Sequence, residues 1–416
     1  MLATPAAAAA AASVAEFDAT VRSDLEAVIR FAAGRGILEP AEGAELISAF
    51  GMLPGEGRLP SEFFWIYFSG LEALQTGRPA DARQALLLLG NLLLDQQVLR
   101  GQAISEALPA FRDDRGLPSV AGPADCYLSY AGDPVTQLGS AARAKLGQQI
   151  RGTWRQAGTL RVRTSTGVID RQVRKYDAYT CELSGRSPAL GVLAGPGATS
   201  SDPIADRAAV AADLIRSLDP ETAGEISLVT EYLVLLEGSD FVGGSDIRLF
   251  GASFLRLSPD WSPLCYADHL VHEAAHQRLH AAHELVPMLS NKDYVGAPSP
   301  IRSDPRPLYG TLHATFVFLR LSQFMARVLR QSADDTVLAE AEIRFHRHLL
   351  GLLQGLRTVA DYGELTEAGA VELAEWKAVA SDLLSVAGPP DERIFSKLDW
   401  DYERANPALP MLALRG

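Results

Sequence analysis

Apolar residues recur at helical spacing over most of this chain, and this periodicity predicts a predominantly helical protein. The pattern is interrupted between residues 120 and 260, where glycine, proline and β-branched residues become more frequent. The predicted helices lie at 16–33, 41–52, 63–75, 79–100, 305–331, 333–357, 366–386 and 391–404. The helices before residue 115 carry no recognisable chemistry, so a reactive site is expected later in the chain.

The interrupted segment has the residue pattern of β-strands. Strands are predicted at 159–164, 168–173, 226–236 and 247–257, of which the first two form a hairpin. The glycine-rich linker 237–246 joins the two longer strands, and it is either a plain surface connection or a loop over a site. We therefore expect an α+β, predominantly α-helical fold in which a small antiparallel sheet precedes a C-terminal helical region.

These changes in pattern divide the chain into four zones. Residues 1–14 form an alanine-rich leader without basic residues or a strong apolar segment, so we expect disorder and not a signal peptide. An N-terminal helical region at 15–115 and a mixed region at 120–260 follow. The last zone, 262–416, is helical and contains all eight histidines of the chain.

Composition excludes several classes of function. The formal net charge of −13 argues against binding to nucleic acid or to anionic membranes, since both need clustered lysine and arginine. A neutral or cationic peptide is a better partner for such a surface. The cysteines Cys126, Cys181 and Cys265 are too scattered for a disulfide framework, which indicates a reducing compartment. No apolar run reaches the roughly 18 residues of a membrane helix. These features predict a cytoplasmic enzyme of undetermined oligomeric state.

The most informative motif is a pair of histidines. Six of the eight histidines lie within 45 residues, and two belong to the pentad His-Glu-Ala-Ala-His at 272–276. Residues four apart share one helix face, so both imidazoles can point at a single divalent ion. Ser262 and Pro263 are typical of a helix start and Pro287 of a helix end, which puts the pentad in mid-helix. Apolar residues around the pentad argue against the alternative, a surface helix with a chance motif.

Five other histidines are not predicted to bind this ion. They are His269, His280, His283, His346 and His348. A helix rises about 1.5 Å per residue, which puts His280 and His283 roughly 12 to 16 Å along the axis from His272. Together with His269, they are expected to form a polar helix face or to support the ligands. His346 and His348 are two residues apart and thus on nearly opposite faces, so both are expected at the surface.

The third ligand decides the chemistry of the site. A thermolysin-like zinc site needs a glutamate on a following helix, but no glutamate occurs between Glu284 and Glu340. That interval does contain His313, inside a predicted helix. Arg306 and Arg320 fall on the same helix face as His313, because a spacing of seven residues returns nearly to the same angle. The sequence thus predicts a three-histidine site beside positive charge, which suits an ion that also holds an anionic co-substrate.

Two linked blocks resemble a known protein family. They are LVHEAAHQRLHAAHELVPML, which carries the pentad, and SPIRSDPRPLYGTLHATFVFL, which follows it. The pair is similar to the HExxH-motif proteins encoded beside ribosomally synthesised, post-translationally modified peptides, over roughly residues 225–335. The resemblance implies a non-haem Fe(II)- and 2-oxoglutarate-dependent peptide β-hydroxylase that consumes dioxygen. It also implies that His272, His276 and His313 are the iron ligands and that the partner is a ribosomal precursor peptide.

In such a site the distal carboxylate of 2-oxoglutarate needs a cation, and arginine can bind it through two hydrogen bonds. Arg302 and Arg306 are the first candidates, although either can instead form a salt bridge with Asp304 or Glu284. Glu273 is expected to orient a ligand or a substrate amide. Two alternatives stay open. One is a zinc metallopeptidase with Glu273 as general base, and the other is a catalytically silent peptide-binding protein with a structural metal ion.

Overall fold

The structure is a computed structural model that divides into two compact units. The described residues are 7–53, 58–99, 154–157, 160–163, 169, 172–177, 191–192, 202–237, 243–299 and 306–387. The sheet unit contains 15–209 and 230–260, and the C-terminal unit contains 1–14, 210–229 and 261–416. Helices predominate among the described residues, so the predicted α+β, mostly helical class is confirmed.

The first helices of the chain largely agree with their predicted ranges. They are α1 (Ala7–Gly34), α2 (Pro40–Gly51), α3 (Ser61–Gln75) and α4 (Pro79–Leu99). The difference is at the start of α1, which begins inside the leader that the sequence predicts as disordered. The prediction of disorder is wrong from Ala7 onwards, because alanine has the highest intrinsic helix propensity and a run of it extends the helix.

A small sheet forms the centre of the sheet unit. Its strands are β1 (Trp154–Ala157), β2 (Leu160–Arg163), β3 (Gly191–Val192), β4 (Tyr232–Glu237), β5 (Gly243–Ser245) and β6 (Ala252–Leu255). The strand order is β1-β2-β4-β6-β5, and β3 pairs with β4. Because β4 runs parallel to both β2 and β6, the sheet is mixed, and the prediction of an antiparallel sheet is wrong. The chain first forms β5 at the sheet edge, antiparallel to β6, and so β6 returns in the direction of β4.

The second helical set carries the candidate ligands. Its helices are α5 (Asp202–Leu218), α6 (Pro220–Val229), α7 (Pro263–Leu285), α8 (Leu308–Gln331), α9 (Asp335–Tyr362) and α10 (Glu367–Ala387). The helix predicted at 391–404 lies outside the described residues. Helix α7 packs against α6 and α8, while α9 packs against α7, α8 and α10, so the two ligand-bearing helices are neighbours. No helix in the described part of the chain is long and apolar enough to cross a membrane.

Some predicted strands are helical over part of their length. The range 226–236 begins in α6, and only its last residues belong to β4. The range 168–173 contains helical residues, so the hairpin partner of β2 is β1. A 3-10 turn at Ile247–Leu249 occupies the start of the range 247–257. Short apolar runs do not distinguish a buried strand from a buried helix segment, which explains these errors.

Candidate metal centre

The helix that carries the pentad is built as its sequence predicts. Ser262 caps the N-terminus of α7, since its side-chain oxygen accepts a hydrogen bond from the backbone N–H of Cys265 at 3.0 Å. Pro263 occupies the first turn, and the helix is continuous to Leu285. One face of α7 carries Asp268, His272, His276 and His280 at four-residue spacing. The pentad therefore contributes two imidazoles to a polar face in the middle of a mostly buried helix.

The imidazoles of His276 on α7 and His313 on α8 face each other. Their Nδ1 atoms are 3.2 Å apart, and the rings stack with centroids 5.4 Å apart. Nitrogen ligands lie about 2.1 Å from an ion such as zinc, which places two adjacent ligands roughly 3 Å from each other. The ring of His272 lies beside that of His276, with centroids 5.0 Å apart in a T-shaped arrangement. The structure thus brings the three predicted ligands into one cluster.

Two of the three predicted ligands have the spacing of a metal site. Among the described residues, no three histidine, cysteine, aspartate or glutamate side chains converge as a complete metal site. The pair His276 and His313 has the spacing of two ligands, and the ring of His272 lies next to that of His276. The buried Nε2 atom of His313 has no hydrogen-bond partner within the described ranges. A buried, unpaired nitrogen is costly, and water usually satisfies it. Because this Nε2 is not the nitrogen that faces His276, an ion between the two Nδ1 atoms would leave it unpaired.

The candidate ligands are held in the neutral state that binds metal ions. Burial lowers the pKa of His272 to about 4. Burial, together with the neighbouring histidines, holds the pKa values of His276 and His313 well below the ordinary value. Arg306 also contributes to the low pKa of His276, which places its positive charge close to the pair. Neutral imidazoles can accept a divalent ion, and the nearby arginine can accept an anion.

His280 and His283 surround the ligand pair without joining it. The Nδ1 atom of His280 is 3.1 Å from the hydroxyl oxygen of Tyr309, and its ring lies 4.4 Å from that of His313. The ring of His283 packs on that of Tyr309 at 4.8 Å. Both histidines are buried. Of the two roles expected from the sequence, burial therefore excludes an exposed polar face, and the contacts fit support of the ligands.

The prediction that His346 and His348 lie at the surface is wrong. They are 8% and 6% exposed, because α9 packs against three helices and has little free surface. The Nε2 atom of His348 lies 2.7 Å from one carboxylate oxygen of Asp268, and the guanidinium of Arg344 donates to the other at 3.2 Å. Because Asp268 is one turn before His272, this polar network adjoins the candidate ligands.

Asp268 is expected to contribute strongly to stability. Burial by itself raises the pKa of its carboxyl, but the charges of His348 and Arg344 together outweigh burial and hold that pKa well below the ordinary value. Asp268→Asn is expected to lower the free energy of unfolding by about 3 kcal/mol at neutral pH, as is typical when a buried ion pair loses one partner. Urea unfolding of wild type and variant measures this difference.

The pH dependence of that difference has a definite sign. Because the folded pKa of Asp268 is depressed, its contribution is fully present above the pKa of the unfolded carboxyl, roughly 3.9, and is lost as the pH falls below it. The difference between wild type and Asp268→Asn should therefore shrink as the pH falls below about 4.

The control for Asp268→Asn is an aspartate at the surface, Asp382 on α10, which is exposed. As the matched control, Asp382→Asn should change the free energy of unfolding by less than about 0.5 kcal/mol. Equal losses in both variants would contradict the prediction.

The candidate arginines have different positions. Arg302 lies outside the described residues. Arg306 is half-buried just before α8, and its effect on the pKa of His276 places it at the cluster. Arg320, predicted on the same helix face, instead turns to Glu225 on α6, with 3.1 Å between guanidinium and carboxylate. Of these three arginines, Arg306 is the one whose charge contributes to the low pKa of a candidate ligand, His276.

Glu273 lies on the packed side of α7. Glu273 is 2% exposed, whereas His272 and His276 are partly exposed. The sequence patterns assign no role to two other residues of the cluster, Asp268 and Tyr309. Helical spacing is the signal that identifies them, since each lies four residues before a candidate ligand and thus on the same helix face.

Comparison with known proteins does not assign a function to this site. No protein-family model matches the chain, and no curated protein matches it. The case for a function therefore rests on α7, α8 and the side chains that these two helices bring together.

Proposed function

We propose that this protein is an Fe(II)- and 2-oxoglutarate-dependent oxygenase that hydroxylates a side-chain carbon, the β-carbon, of a ribosomally synthesised precursor peptide. The observation that carries the proposal is the pair of imidazoles of His276 and His313, 3.2 Å apart on neighbouring helices, with the charge of Arg306 close by. The distal carboxylate of 2-oxoglutarate needs a cation near the metal ligands, and Arg306 can supply it.

The three histidines His272, His276 and His313 would hold the ion. Three protein ligands leave the remaining coordination positions open for co-substrates. When bound, Fe(II) with 2-oxoglutarate and dioxygen supplies the oxidation that inserts one oxygen atom into a C–H bond of the peptide. Burial lowers the pKa values of the imidazoles, so they need not lose a proton at neutral pH before they bind the ion.

Arg306 is the residue proposed to bind the distal carboxylate of 2-oxoglutarate. Its guanidinium acts on the pKa of His276 and so lies within electrostatic reach of the ligand cluster. It also precedes Pro307, the N-cap of α8, where the helix dipole adds partial positive charge. Arginine pairs with a carboxylate through two parallel hydrogen bonds, which fix its orientation as well as its charge. Arg302 is the second candidate.

The zinc metallopeptidase alternative depends on Glu273. Its carboxylate would have to reach a metal-bound water as general base. The 2% exposure of Glu273 places this side chain among packed neighbours, which favours a role in holding α7 and its ligands. The Glu273→Gln variant tests whether this carboxylate acts as that base.

The overall composition supports a peptide substrate in the cytoplasm. A net charge of −13 suits a neutral or cationic peptide and disfavours nucleic acid and anionic membranes as partners. The few, scattered cysteines suit a reducing compartment, which also keeps iron as Fe(II).

The test of this proposal is a coupled assay. Metal-free protein receives Fe(II), 2-oxoglutarate, dioxygen and short peptides encoded beside its gene. We expect succinate together with a peptide that has gained one oxygen atom, both measured by mass spectrometry. Zn(II) is expected to inhibit, because it occupies the site without redox chemistry.

Arg306→Ala is expected to raise the 2-oxoglutarate concentration for half-maximal turnover about tenfold or more, with little change in metal content.

Glu273→Gln separates the alternatives in the same assay. A peptidase loses nearly all turnover without its general base, whereas the oxygenase is expected to retain a measurable fraction. Cleavage by the zinc form that disappears in Glu273→Gln, without succinate from the iron form, would show that the peptidase alternative is right. A protein that binds the peptide but forms neither succinate nor fragments would instead be the silent binding protein.

A further inference from the structure

Tyr309 occupies a central position among the histidines of the two ligand-bearing helices. It lies in the first turn of α8, and its ring makes a T-shaped contact with that of His313 at 4.3 Å. Its hydroxyl oxygen is within hydrogen-bond distance, 3.1 Å, of the Nδ1 atom of His280 on α7. The ring of His283 packs on it as well, at 4.8 Å. One side chain of α8 thus contacts two histidines of α7 and one candidate ligand of its own helix.

These contacts enclose the ring of His313. On one side it stacks on His276, with centroids 5.4 Å apart and an angle of 18° between the rings. It also contacts the rings of Tyr309 at 4.3 Å and His280 at 4.4 Å. The imidazole of His313 is 4% exposed, so it cannot leave its rotamer without displacing one of these rings. The orientation of His313 therefore depends on where Tyr309 and His280 are held.

The hydrogen bond between Tyr309 and His280 joins α7 and α8 next to the contact between His276 and His313. Tyr309 and His280 both contact the ring of His313, so their hydrogen bond holds two of its neighbours in place. Neither residue belongs to the predicted ligand set, and the Nδ1 atom of His280 is directed at the hydroxyl of Tyr309. Partners of this kind orient metal ligands, and losing one typically costs about 10-fold to 100-fold in metal affinity.

We infer that the Tyr309–His280 hydrogen bond is a positioning device that holds the His313 imidazole against His276 and thereby sets the third metal ligand. The inference rests on the metal centre of the proposed function and adds two residues to it. It assigns His280 a defined role within the histidine-rich segment. It also explains why the hydroxyl of Tyr309 points at α7 from the first turn of α8.

The experiment is a titration of the metal-free, full-length protein with Co(II), followed by visible absorption, which reports affinity and coordination together. Tyr309→Phe removes the hydroxyl and keeps the ring, and His280→Leu removes its imidazole partner at similar volume. Each is expected to raise the Co(II) dissociation constant about 10-fold and to change the spectrum. The double variant should cost no more than the larger single one, because both substitutions break the same bond. His280→Gln, which can still accept a hydrogen bond, should recover part of the affinity.

Tyr362→Phe is the matched control, because Tyr362 is a half-exposed tyrosine at the end of α9 that stacks on Tyr294. It should bind Co(II) like the wild type. Unfolding of the metal-free variants separates positioning from structure, since a purely structural bond would lower stability and leave the affinity and spectrum unchanged. Unchanged Co(II) binding in Tyr309→Phe and His280→Leu, or additive costs in the double variant, would overturn the inference alone. A wild type that binds no Co(II) would overturn the proposed metal centre with it.

Discussion

Replacing His313 with alanine is expected to weaken binding of a divalent ion at least about 100-fold. Loss of a residue that only supports a ligand costs up to about 100-fold in metal affinity, and loss of the ligand itself should cost more. His313 supplies one of two nitrogens that lie 3.2 Å apart, and it is the one on α8. Without it the ion is left with His272 and His276, which lie on a single helix. Titration of metal-free protein with Zn(II) and elemental analysis of the purified variant measure the loss.

His283→Ala is the control for this result. His283 is as buried as His313 and packs on Tyr309, but its position on α7 keeps it away from the ligand pair. Because His283 supports the cluster without facing His276, we expect His283→Ala to weaken Zn(II) binding far less than His313→Ala does, and His276→Ala to behave like His313→Ala. Full Zn(II) binding by His313→Ala would remove the observation on which the proposed function rests. A loss in His283→Ala as large as that in His313→Ala would indicate general disruption of the cluster.

The second large effect concerns a buried charge cluster between three helices. Glu225 on α6 accepts hydrogen bonds from Arg278 on α7 and from Arg320 on α8, the latter at 3.1 Å. The three side chains are at most 3% exposed. Glu225→Ala is expected to lower the free energy of unfolding by about 3 to 5 kcal/mol, because two guanidinium groups then stay buried without their shared carboxylate. Chemical denaturation followed by circular dichroism measures the change.

Glu221 in the first turn of α6 provides the matched control. Its side chain is exposed, so Glu221→Ala should change the free energy of unfolding by less than about 0.5 kcal/mol. Adding Arg320→Met to Glu225→Ala should restore part of the stability, since it removes one of the uncompensated charges. Because Glu225 bonds to both ligand-bearing helices, we also expect weaker Zn(II) binding in Glu225→Ala. A Glu225→Ala protein as stable as Glu221→Ala would show that the cluster contributes nothing net.

The helix that carries the pentad could be predicted because its determinants are local. Ser262 and Pro263 set its first turn, and their effect depends only on the adjacent backbone. The spacing of His272 and His276 then follows from helix geometry alone. The same holds for α8, where periodicity predicts a helix around His313 that the structure begins at Leu308.

Elements whose state depends on distant partners were predicted less well. The range 226–236 is apolar enough for either structure, and it divides between α6 and β4 according to what each half packs against. The parallel pairing of β4 with β6 depends on β5 taking the sheet edge, a choice that no short segment encodes. His348 looks like a surface residue on its own helix, and it is buried because α7 brings Asp268 to it.

The sequence by itself determined which side chains share a helix face, because a helix fixes the angle between residues from their spacing alone. It thereby grouped His272 with His276, whereas Arg306, predicted on the face of His313, lies before the first residue of α8. Only the tertiary structure decided which faces meet. Packing of α7 against α8 turned His313 towards His276, turned Arg320 away to Glu225, and joined Tyr309 to His280. These pairings depend on the shapes and charges of whole helices packed together, so they have no counterpart in the local pattern.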